Sequence, residues 1–272
     1  MAAMARDRVR QLLDQHGIRG DTLATKVTEA VAAARAENQT AKRRGRVHCA
    51  VVWRGMKAAL LPYTPDSIPV YVSKGKGQLG NALSPFNVKI PEDMYTWATL
   101  DGNPSSPRLV VPAPGGHPLE LVWQAAKVAQ GESMETYYLR RAQIYKKGVP
   151  KRRYVEKGVG IAGACFGGDL VQYVPSRVFY CTAYSGAVTS TGEYKILAAL
   201  VAEGFNLLLL GPDGHPIPEE AGAVERAYED PAKQFGHERA LLALLRGERV
   251  WEGRPACWGP GAEPAAKKRR VA

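Results

Sequence analysis

The chain has 272 residues, of which 45% are hydrophobic and 23% are charged, values that exclude a fibrous or a wholly disordered protein. This length is enough for one large domain or two small ones, with a sizeable hydrophobic core in either case. The formal net charge of +11 points to polyanionic or phosphorylated partners and carries no information about the fold. A soluble basic protein without a nucleic-acid role is the plainer alternative.

The spacing of the cysteines and the hydropathy of the chain indicate its cellular compartment. The four cysteines lie too far apart for a zinc knuckle or a redox motif. The first residues are charged and lack an apolar segment, so they predict no signal peptide. The richest apolar run, "ILAALVAEGFNLLLLG", is interrupted by Glu203, Gly204 and Asn206 and is too short to span a bilayer. We therefore expect an intracellular protein with reduced thiols, no membrane segment and no bound metal; its cysteines are Cys49, Cys165, Cys181 and Cys257.

The chain ends differ in composition from its centre. Residues 1–46 predict two helices, the second alanine-rich and capped at Asp21–Thr22. They end in "AKRRGR" and form a basic, helical N-terminal extension, for which nucleic-acid contact and a solvated helix end are both open. Residues 255–272 hold Gly, Pro and Ala and predict a disordered tail. Its basic residues Lys267–Arg270 are typical of a nuclear-import signal, with an ordinary charged tail as the alternative.

Residues 47–254 predict the main domain. Strands are expected in "HCAVVWRG", "IPVYVS" and "NVKI", whereas residues 101–118 are rich in Pro, Gly and Ser and predict mostly loop. A helix is expected from Leu119, and another through "METYYLRRAQIY". A third, "EYKILAALVAEG", ends on Gly204, and the buried strand "FNLLLLG" follows at once. A final helix begins near Gly236. Helices and strands mix without a regular βαβ alternation, so we expect an α+β domain with a small sheet.

The helix in "HPLELVWQAAKV" carries the most informative pattern of the chain. Glu120, Gln124 and Lys127 recur at helical spacing, so a carboxylate, an amide and an ammonium group are expected on one face. A surface Glu–Lys pair at this spacing contributes only about 0.2–0.5 kcal/mol, and the helix alone would indicate nothing more. Its neighbours in the sequence change that interpretation.

Taken with "ALSPFNVKI", the strand before Asp213 and the "FGHERALLALL" helix, this region resembles the NADAR family, named for its association with NAD and ADP-ribose. Ser84 and Phe86 match the family segment that leads into a strand. The segment "ELVWQAAK" matches the family helix E-x-x-x-Q-A-x-K at every motif position. The resemblance covers roughly residues 70–247. It implies an N-glycosidase that cleaves a ribose–nitrogen bond in ADP-ribosylated bases or in ribosylamino-pyrimidine intermediates.

The residue types suit that chemistry, because glycosidic cleavage passes through an oxocarbenium-like state that carboxylates stabilise. Glu120 is expected to hold the ribose hydroxyls or to act as base toward water. Gln124 would bond the base or ribose, Lys127 would neutralise a substrate phosphate or tune Glu120, and Phe86 would form an apolar wall. His237, like His117, lies near the expected site in the sequence and is a candidate for proton transfer. The reaction needs no cofactor.

The second carboxylate is ambiguous. Asp213 follows the buried strand, as in the family, but it also reads as a turn residue because glycine follows it. The family's Trp–Gly pair is missing after it, and an apparent insertion leads to Asp230, a rival for the same role. Tyr228 and Phe235 are candidates for the missing aromatic wall. The two acids, Glu120 and its partner, are expected to face one ribose-sized cleft.

Two other functions stay open. The cluster "KKGVPKRR", flanked by Tyr145 and Tyr154, is typical of DNA or RNA binding, with basic side chains on phosphates and tyrosines on bases. On that reading the enzyme-like fold is an inactive scaffold. A glycosyl- or ADP-ribosyl-transferase would use the same carboxylates on the same bond. The basic residues concerned are Lys146, Lys147, Lys151, Arg152 and Arg153.

Overall fold

The computed structural model describes residues 44–52, 67–73, 75, 77–90, 117–148, 159–165 and 170–254. Within these ranges the chain forms helices and small sheets, as expected for the α+β class. The elements in chain order are β1 Val47–Val51, β2 Ser67–Tyr71, α1 Gly77–Leu83, α2 Leu119–Ala126, β3 Lys127–Ala129, α3 Met134–Lys147, β4 Ile161–Cys165, β5 Leu170–Gln172, α4 Tyr173–Val188, α5 Gly192–Ala202, β6 Asn206–Gly211, α6 Ala223–Glu229 and α7 His237–Arg246.

Two compact units share these elements, and their segments alternate along the chain. Among the described residues, the first unit takes those up to Asn87, then Val188–Tyr228 and Lys233–Val250. The second takes the described residues of Val88–Ala187, then Glu229–Ala232 and 251–254. The predicted limits at residues 46 and 254 stay predictions, since 1–43 and 255–272, with the predicted N-terminal helices and the nuclear-import signal, lie outside the described residues.

The first unit is built on a parallel three-stranded sheet in the order β1-β6-β2. All six residues of the central strand β6 are buried, which explains its unbroken apolar sequence, since parallel strands are covered on both faces. Pairing continues at the carboxyl ends, where Val52 N–H donates to Gly211 O (3.0 Å) and Val72 N–H donates to Leu210 O (3.1 Å). The carboxyl ends of three strands therefore meet at one edge.

Residues 44–46 pack onto this unit. The guanidinium of Arg44 donates to Leu245 O (2.6 Å) and the Gly45 N–H donates to Val201 O (2.8 Å). A β-carbon on Gly45 would overlap the backbone of Phe205, so a residue without a side chain is needed there. The last three residues of "AKRRGR", 44–46, are therefore fixed beside the sheet and do not form a solvated helix end.

The second unit holds an antiparallel sheet in the order β3-β4-β5, with α2, α3 and α4. The Ser133 hydroxyl caps the start of α3 by accepting from Thr136 N–H (3.2 Å), and Gly148 ends the helix in the left-handed region at φ 60°. The Tyr137 hydroxyl donates to Cys165 O (3.1 Å), so the helix is fixed to β4. No helix in the described ranges is both long enough and apolar enough to cross a bilayer.

Several predicted elements are confirmed, and two predictions about strands differ from the structure. Strands β1, β2 and β6 and helices α2, α3, α5 and α7 lie where the sequence predicts them. Instead of one small sheet there are two, because the glycine-rich "GVGIAGAC" segment, which has no strand periodicity, forms β4 by pairing with β3 and β5. The expected strand in "NVKI" is reduced to a single bridge between Lys89 and Pro118.

Candidate functional site

Helix α2 is buried along its whole length, including its polar residues. Glu120 is 7% exposed and Gln124 is 8% exposed. An exposed helical salt bridge, the plainer alternative for Glu120, is therefore excluded. Burying a carboxylate costs several kcal/mol of folding free energy. An apolar side chain at this position would cost less.

Gln124 orients the Glu120 carboxylate. Its Nε2 donates to Glu120 Oε1 at 2.8 Å, one helical turn away. A hydrogen bond to a charged group contributes about 1.5–3 kcal/mol, which offsets part of the burial cost. The bond holds the carboxylate in one rotamer. A group that acts on a reacting atom needs a fixed orientation of this kind. The sequence predicted that Gln124 would bond the substrate; in the structure it bonds the candidate catalytic acid.

The expectation that Lys127 shares a helical face with Glu120 is wrong. The helix ends at Ala126, and Lys127 has the extended backbone of β3, with φ −65° and ψ 131°. The antiparallel pairing of Lys127 with Ala164 draws it out of the helix. Its Nζ lies 5.5 Å from the centre of the Trp123 ring, within the range of a cation–π contact.

Aromatic side chains surround this end of α2, a feature that the sequence did not reveal. The Trp123 ring centre lies 5.1 Å from that of Tyr180 and 6.3 Å from that of Tyr173. The helical spacing of Trp123 from Glu120, three residues, was the signal that the sequence offered. An aromatic cluster of Trp123, Tyr173 and Tyr180 therefore lies in the same unit as Glu120.

Ser84 and Phe86 belong to the first unit, where they form the turn after α1. Ser84 is buried, its hydroxyl accepts from Phe86 N–H (3.4 Å) and its carbonyl accepts from Asn87 N–H (2.9 Å). Phe86 is half-buried. These contacts give both residues a local structural role, and their expected substrate contacts stay predictions.

Asp213 lies in the turn that follows β6, at the carboxyl edge of the parallel sheet, and is half-buried. Ligands of open parallel sheets bind outside this edge. The Asp213 N–H donates to Glu238 Oε1 (3.4 Å), and its carbonyl accepts from His215 N–H (2.9 Å). Asp213 is thus both a turn residue, as the plainer alternative held, and an acid at the carboxyl edge of the sheet.

His237 is buried at the start of α7, which begins after Gly236. Its Nε2 lies 2.9 Å from Val72 O, at the end of β2. A carbonyl oxygen only accepts, so Nε2 carries the hydrogen of this bond. The other nitrogen, Nδ1, lies 3.2 Å from Glu238 Oε2.

Glu238 is the residue that the sequence analysis missed. Its side chain is 0% exposed, and among the described residues no donor satisfies the hydrogen-bonding geometry of Oε2. Burial raises the pKa of the Glu238 carboxyl above its ordinary value, the nearby His237 opposes this shift, and Asp213 adds to it. The available signal was the spacing: Glu238 precedes Leu241, Leu242 and Leu245 by three, four and seven residues, on the apolar face of the helix.

Two glycines make room for these acids. A β-carbon on Gly211 would overlap Glu238 Oε1 and lie 2.6 Å from its Cγ. A β-carbon on Gly236 would lie 3.1 Å from both Asp213 Cβ and Glu238 Oε2, and 3.4 Å from Asp213 Oδ2. Both carboxyl groups therefore border the same glycine.

Asp230, the rival acid, lies in the second unit with Glu120. Its carboxylate Oδ1 accepts from Ala232 N–H (2.9 Å) in a local turn, and its carbonyl accepts from the Arg177 guanidinium (3.1 Å). Both the carboxylate and the backbone carbonyl of Asp230 therefore have a local structural role. Asp213 belongs to the other unit and lies at the carboxyl edge of the parallel sheet, so it stays the first candidate for the second acid.

The proposed nucleic-acid patch is described only in part. Lys146 and Lys147 are exposed at the end of α3, whereas Lys151, Arg152 and Arg153 lie outside the described residues. Tyr145 is 5% exposed and its ring centre lies 5.5 Å from that of His117. The expected stacking of a base on Tyr145 is therefore wrong, because the ring is packed inside the unit. This contact also occupies the His117 ring.

Within the described ranges, no group of three or more His, Cys, Asp or Glu side chains has the arrangement of a metal site. Comparison of the chain with models of protein families, with curated proteins and with solved structures finds no match.

Proposed function

We propose that this protein is an N-glycosidase that hydrolyses the bond between ribose C1 and a nitrogen in an ADP-ribosylated or ribosylamino nucleotide. The observation that carries this proposal is the buried carboxylate of Glu120, which the Gln124 amide orients. The resemblance of "ELVWQAAK" to the NADAR helix supports the same assignment. Burial of a carboxylate without a salt bridge on its own helix is costly, and use in a reaction explains its presence.

The reaction is a hydrolysis in which no atom is oxidised or reduced. The C1–N bond breaks and the electron pair leaves with the nitrogen, while positive charge develops on C1 and the ring oxygen. Glu120 stabilises that charge and takes one proton from the attacking water, whose oxygen bonds to C1. The departing nitrogen gains one proton. Asp213 is the proposed source of that proton, as the resemblance to the NADAR family implies.

The aromatic side chains beside Glu120 support a nucleotide-sized substrate. The half-buried Tyr173 is in ring contact with the buried Trp123, and an accessible aromatic ring contributes about 1–3 kcal/mol when a base stacks on it. Lys127 is half-buried beside Trp123, and its ammonium group is the proposed partner of a substrate phosphate. The proposed substrate therefore combines a base, a ribose and at least one phosphate.

The test is a substrate panel: ADP-ribosylated DNA, ADP-ribosylated protein and a ribosylamino-pyrimidine phosphate, with products identified by mass. We expect ADP-ribose and the unmodified DNA or protein from an ADP-ribosylated substrate, and a ribose phosphate and a free amine from the ribosylamino compound. Glu135, exposed in the first turn of α3, provides the matched control, since Glu135→Gln removes the same charge from the same unit. Turnover that Glu120→Gln and Glu135→Gln reduce equally would contradict the proposal.

A transferase would cleave the same bond, and its products distinguish it from a hydrolase. With an added nucleophilic acceptor, a transferase forms a new glycosyl bond to that acceptor and less free sugar. A hydrolase forms free sugar with or without it. We expect no acceptor adduct.

Nucleic-acid binding is a second proposed function, favoured by the exposed Lys146 and Lys147 at the end of α3 and by the net charge of +11. A purely electrostatic binder loses affinity steeply with salt, and a double reversal, Lys146→Glu with Lys147→Glu, would weaken it at every sequence. Glu120→Gln would leave such binding unchanged. Binding without turnover on any member of the panel would make this the protein's function.

A further inference from the structure

The side chains of Glu120 and Gln124 in helix α2 have hydrogen-bonding capacity that the described part of the chain does not use. Both residues are buried, with exposed fractions of 7% and 8%. Within the described ranges each side chain makes one hydrogen bond, the bond from Gln124 Nε2 to Glu120 Oε1 at 2.8 Å. Buried polar groups are usually satisfied, so the remaining oxygens require an explanation.

Hydrogen-bond directions fix the orientation of the Gln124 amide. A carboxylate only accepts, so the amide nitrogen must face Glu120. The carbonyl oxygen, Gln124 Oε1, is therefore left for another group. This oxygen has two lone pairs and no hydrogen. Whatever binds there must donate an O–H or an N–H.

Two acceptor oxygens are thus open to solvent, Gln124 Oε1 and Glu120 Oε2. Neither accepts from a donor within the described ranges, and the enclosed side-chain atoms that lack a hydrogen bond there lie on other residues. The two ends of an amide are separated by about 2.2 Å, so Gln124 Oε1 lies at most about 5 Å from the Glu120 carboxylate. One water that donates two hydrogen bonds of about 2.8 Å each reaches across such a gap.

We propose that Gln124 is a water-holding residue, whose carbonyl oxygen and the Glu120 carboxylate accept the two hydrogens of the water that attacks ribose C1. This role rests on the proposed N-glycosidase activity and adds to it a residue that selects water as the nucleophile. Gln124 Nε2 orients the carboxylate and Gln124 Oε1 orients the water, so one side chain aligns the base with the nucleophile. A water whose two hydrogens are both bonded presents a lone pair to the reacting carbon.

The atoms of the step balance. Glu120 takes one proton of the water, and the water oxygen bonds to C1. The other hydrogen stays on that oxygen, keeps its bond to Gln124, and becomes the hydrogen of the new C1 hydroxyl. The C1–N bond breaks, its electron pair leaves with the nitrogen, and the nitrogen gains one proton.

The other donors of the right chemistry are a ribose hydroxyl and an N–H of the departing base. They differ from water in the kinetic constant that depends on Gln124. A contact with the substrate contributes to binding, so its loss raises KM. A contact with the water alone leaves KM unchanged, and its loss lowers kcat.

Gln124→Lys isolates the carbonyl oxygen. The lysine ammonium group donates to Glu120 as the amide does, in the favourable order with the glutamate one turn before the lysine, but it cannot accept. Gln124→Met, of similar length, neither donates nor accepts and serves as a second variant. Gln143→Lys, at an exposed position of α3, makes the same chemical change outside the proposed site and is the control.

The experiment measures kcat and KM of wild type and the three variants on the best substrate of the panel, with and without sodium azide. We expect Gln124→Lys and Gln124→Met to lower kcat about 100-fold and to leave KM within about twofold of wild type. Azide attacks C1 without losing a proton, so it should restore cleavage in both variants and yield a ribosyl azide, identified by mass. Wild type and Gln143→Lys should release free sugar with or without azide.

The orientation of the amide is tested without any substrate. In nuclear magnetic resonance spectra the side-chain NH2 signals of Gln124, identified by their loss in Gln124→Met, should move in Glu120→Ala, because their acceptor is removed. The signals should stay in place in Glu135→Ala. Signals that do not respond to Glu120→Ala would overturn the orientation on which the proposal depends.

Each contrary kinetic result has a distinct meaning. A raised KM with unchanged kcat in Gln124→Lys would show that the substrate donates to Gln124 Oε1, and the water assignment would fall. Hydrolysis by Gln124→Lys at the wild-type rate, or a loss of kcat that azide does not restore in a folded variant, would overturn it as well. No turnover by wild type on any substrate would instead remove the N-glycosidase function itself.

Discussion

Truncation of Glu120 distinguishes a working acid from a structural one. In Glu120→Ala the Gln124 amide loses the acceptor that now lies at 2.8 Å, and an unsatisfied buried polar group costs about 1–3 kcal/mol. In Glu120→Gln a carbonyl oxygen of the same size remains to accept that bond. We therefore expect Glu120→Ala to unfold at a lower denaturant concentration and Glu120→Gln to stay within about 1 kcal/mol of wild type.

Activity should respond differently from stability. Removal of a general base or charge-stabilising acid lowers turnover by about 10²- to 10⁴-fold, and this loss should be as large in the stable Glu120→Gln as in Glu120→Ala. Urea unfolding followed by circular dichroism gives the stability of each variant, and initial rates on the best substrate give the turnover. Equal turnover of Glu120→Gln and wild type would refute the reasoning. The reasoning would also be refuted if Glu120→Ala and Glu120→Gln were both as stable as wild type, as expected for an exposed side chain.

Three further outcomes follow from the packing. In Gly211→Ala the new methyl would lie 2.7 Å from Glu238 Cδ, and overpacking of this kind lowers stability by about 1–3 kcal/mol. Thermal unfolding measures this loss of stability. Gly186→Ala is the control, because a β-carbon there meets nothing within 4 Å. Ser133→Ala removes the cap of α3 and should cost about 1 kcal/mol in the same assay, so an unchanged midpoint would contradict the cap. Burial raises the pKa of the Cys181 thiol far above its ordinary value, so peptide-resolved alkylation should modify it much more slowly in the folded chain than in urea; equal rates would show that the thiol is accessible.

Local patterns predicted the elements whose causes are local. The leucine run of β6 is apolar at every position and is buried at every position. Helix α3 begins at a serine cap and ends at a left-handed glycine, both of which are visible in the sequence. The sequence left Glu120 between an exposed salt bridge and a catalytic acid; its burial excludes the first, and the second stays a prediction.

Long-range pairing produced the features that could not be predicted. Lys127 leaves the helical pattern because it pairs with Ala164, a residue in a segment with no strand periodicity. The spacing of Glu238 from the leucines of its own helix was the one local signal of its burial. Its contacts with Gly211, at the end of β6, and with Asp213, in the turn that follows, depend on long-range packing. Contacts of this range depend on sheet register, which a single sequence does not specify.

The most direct test of the account is the ratio of turnover between Glu120→Gln and Glu135→Gln on the substrate panel, with both proteins shown to be folded. The account predicts that Glu135→Gln releases the free base or amine at the wild-type rate, whereas Glu120→Gln releases it at least about 100-fold more slowly. Release at the same rate by both variants, or by neither variant nor wild type, would contradict the assignment of Glu120 as the acid of an N-glycosidase.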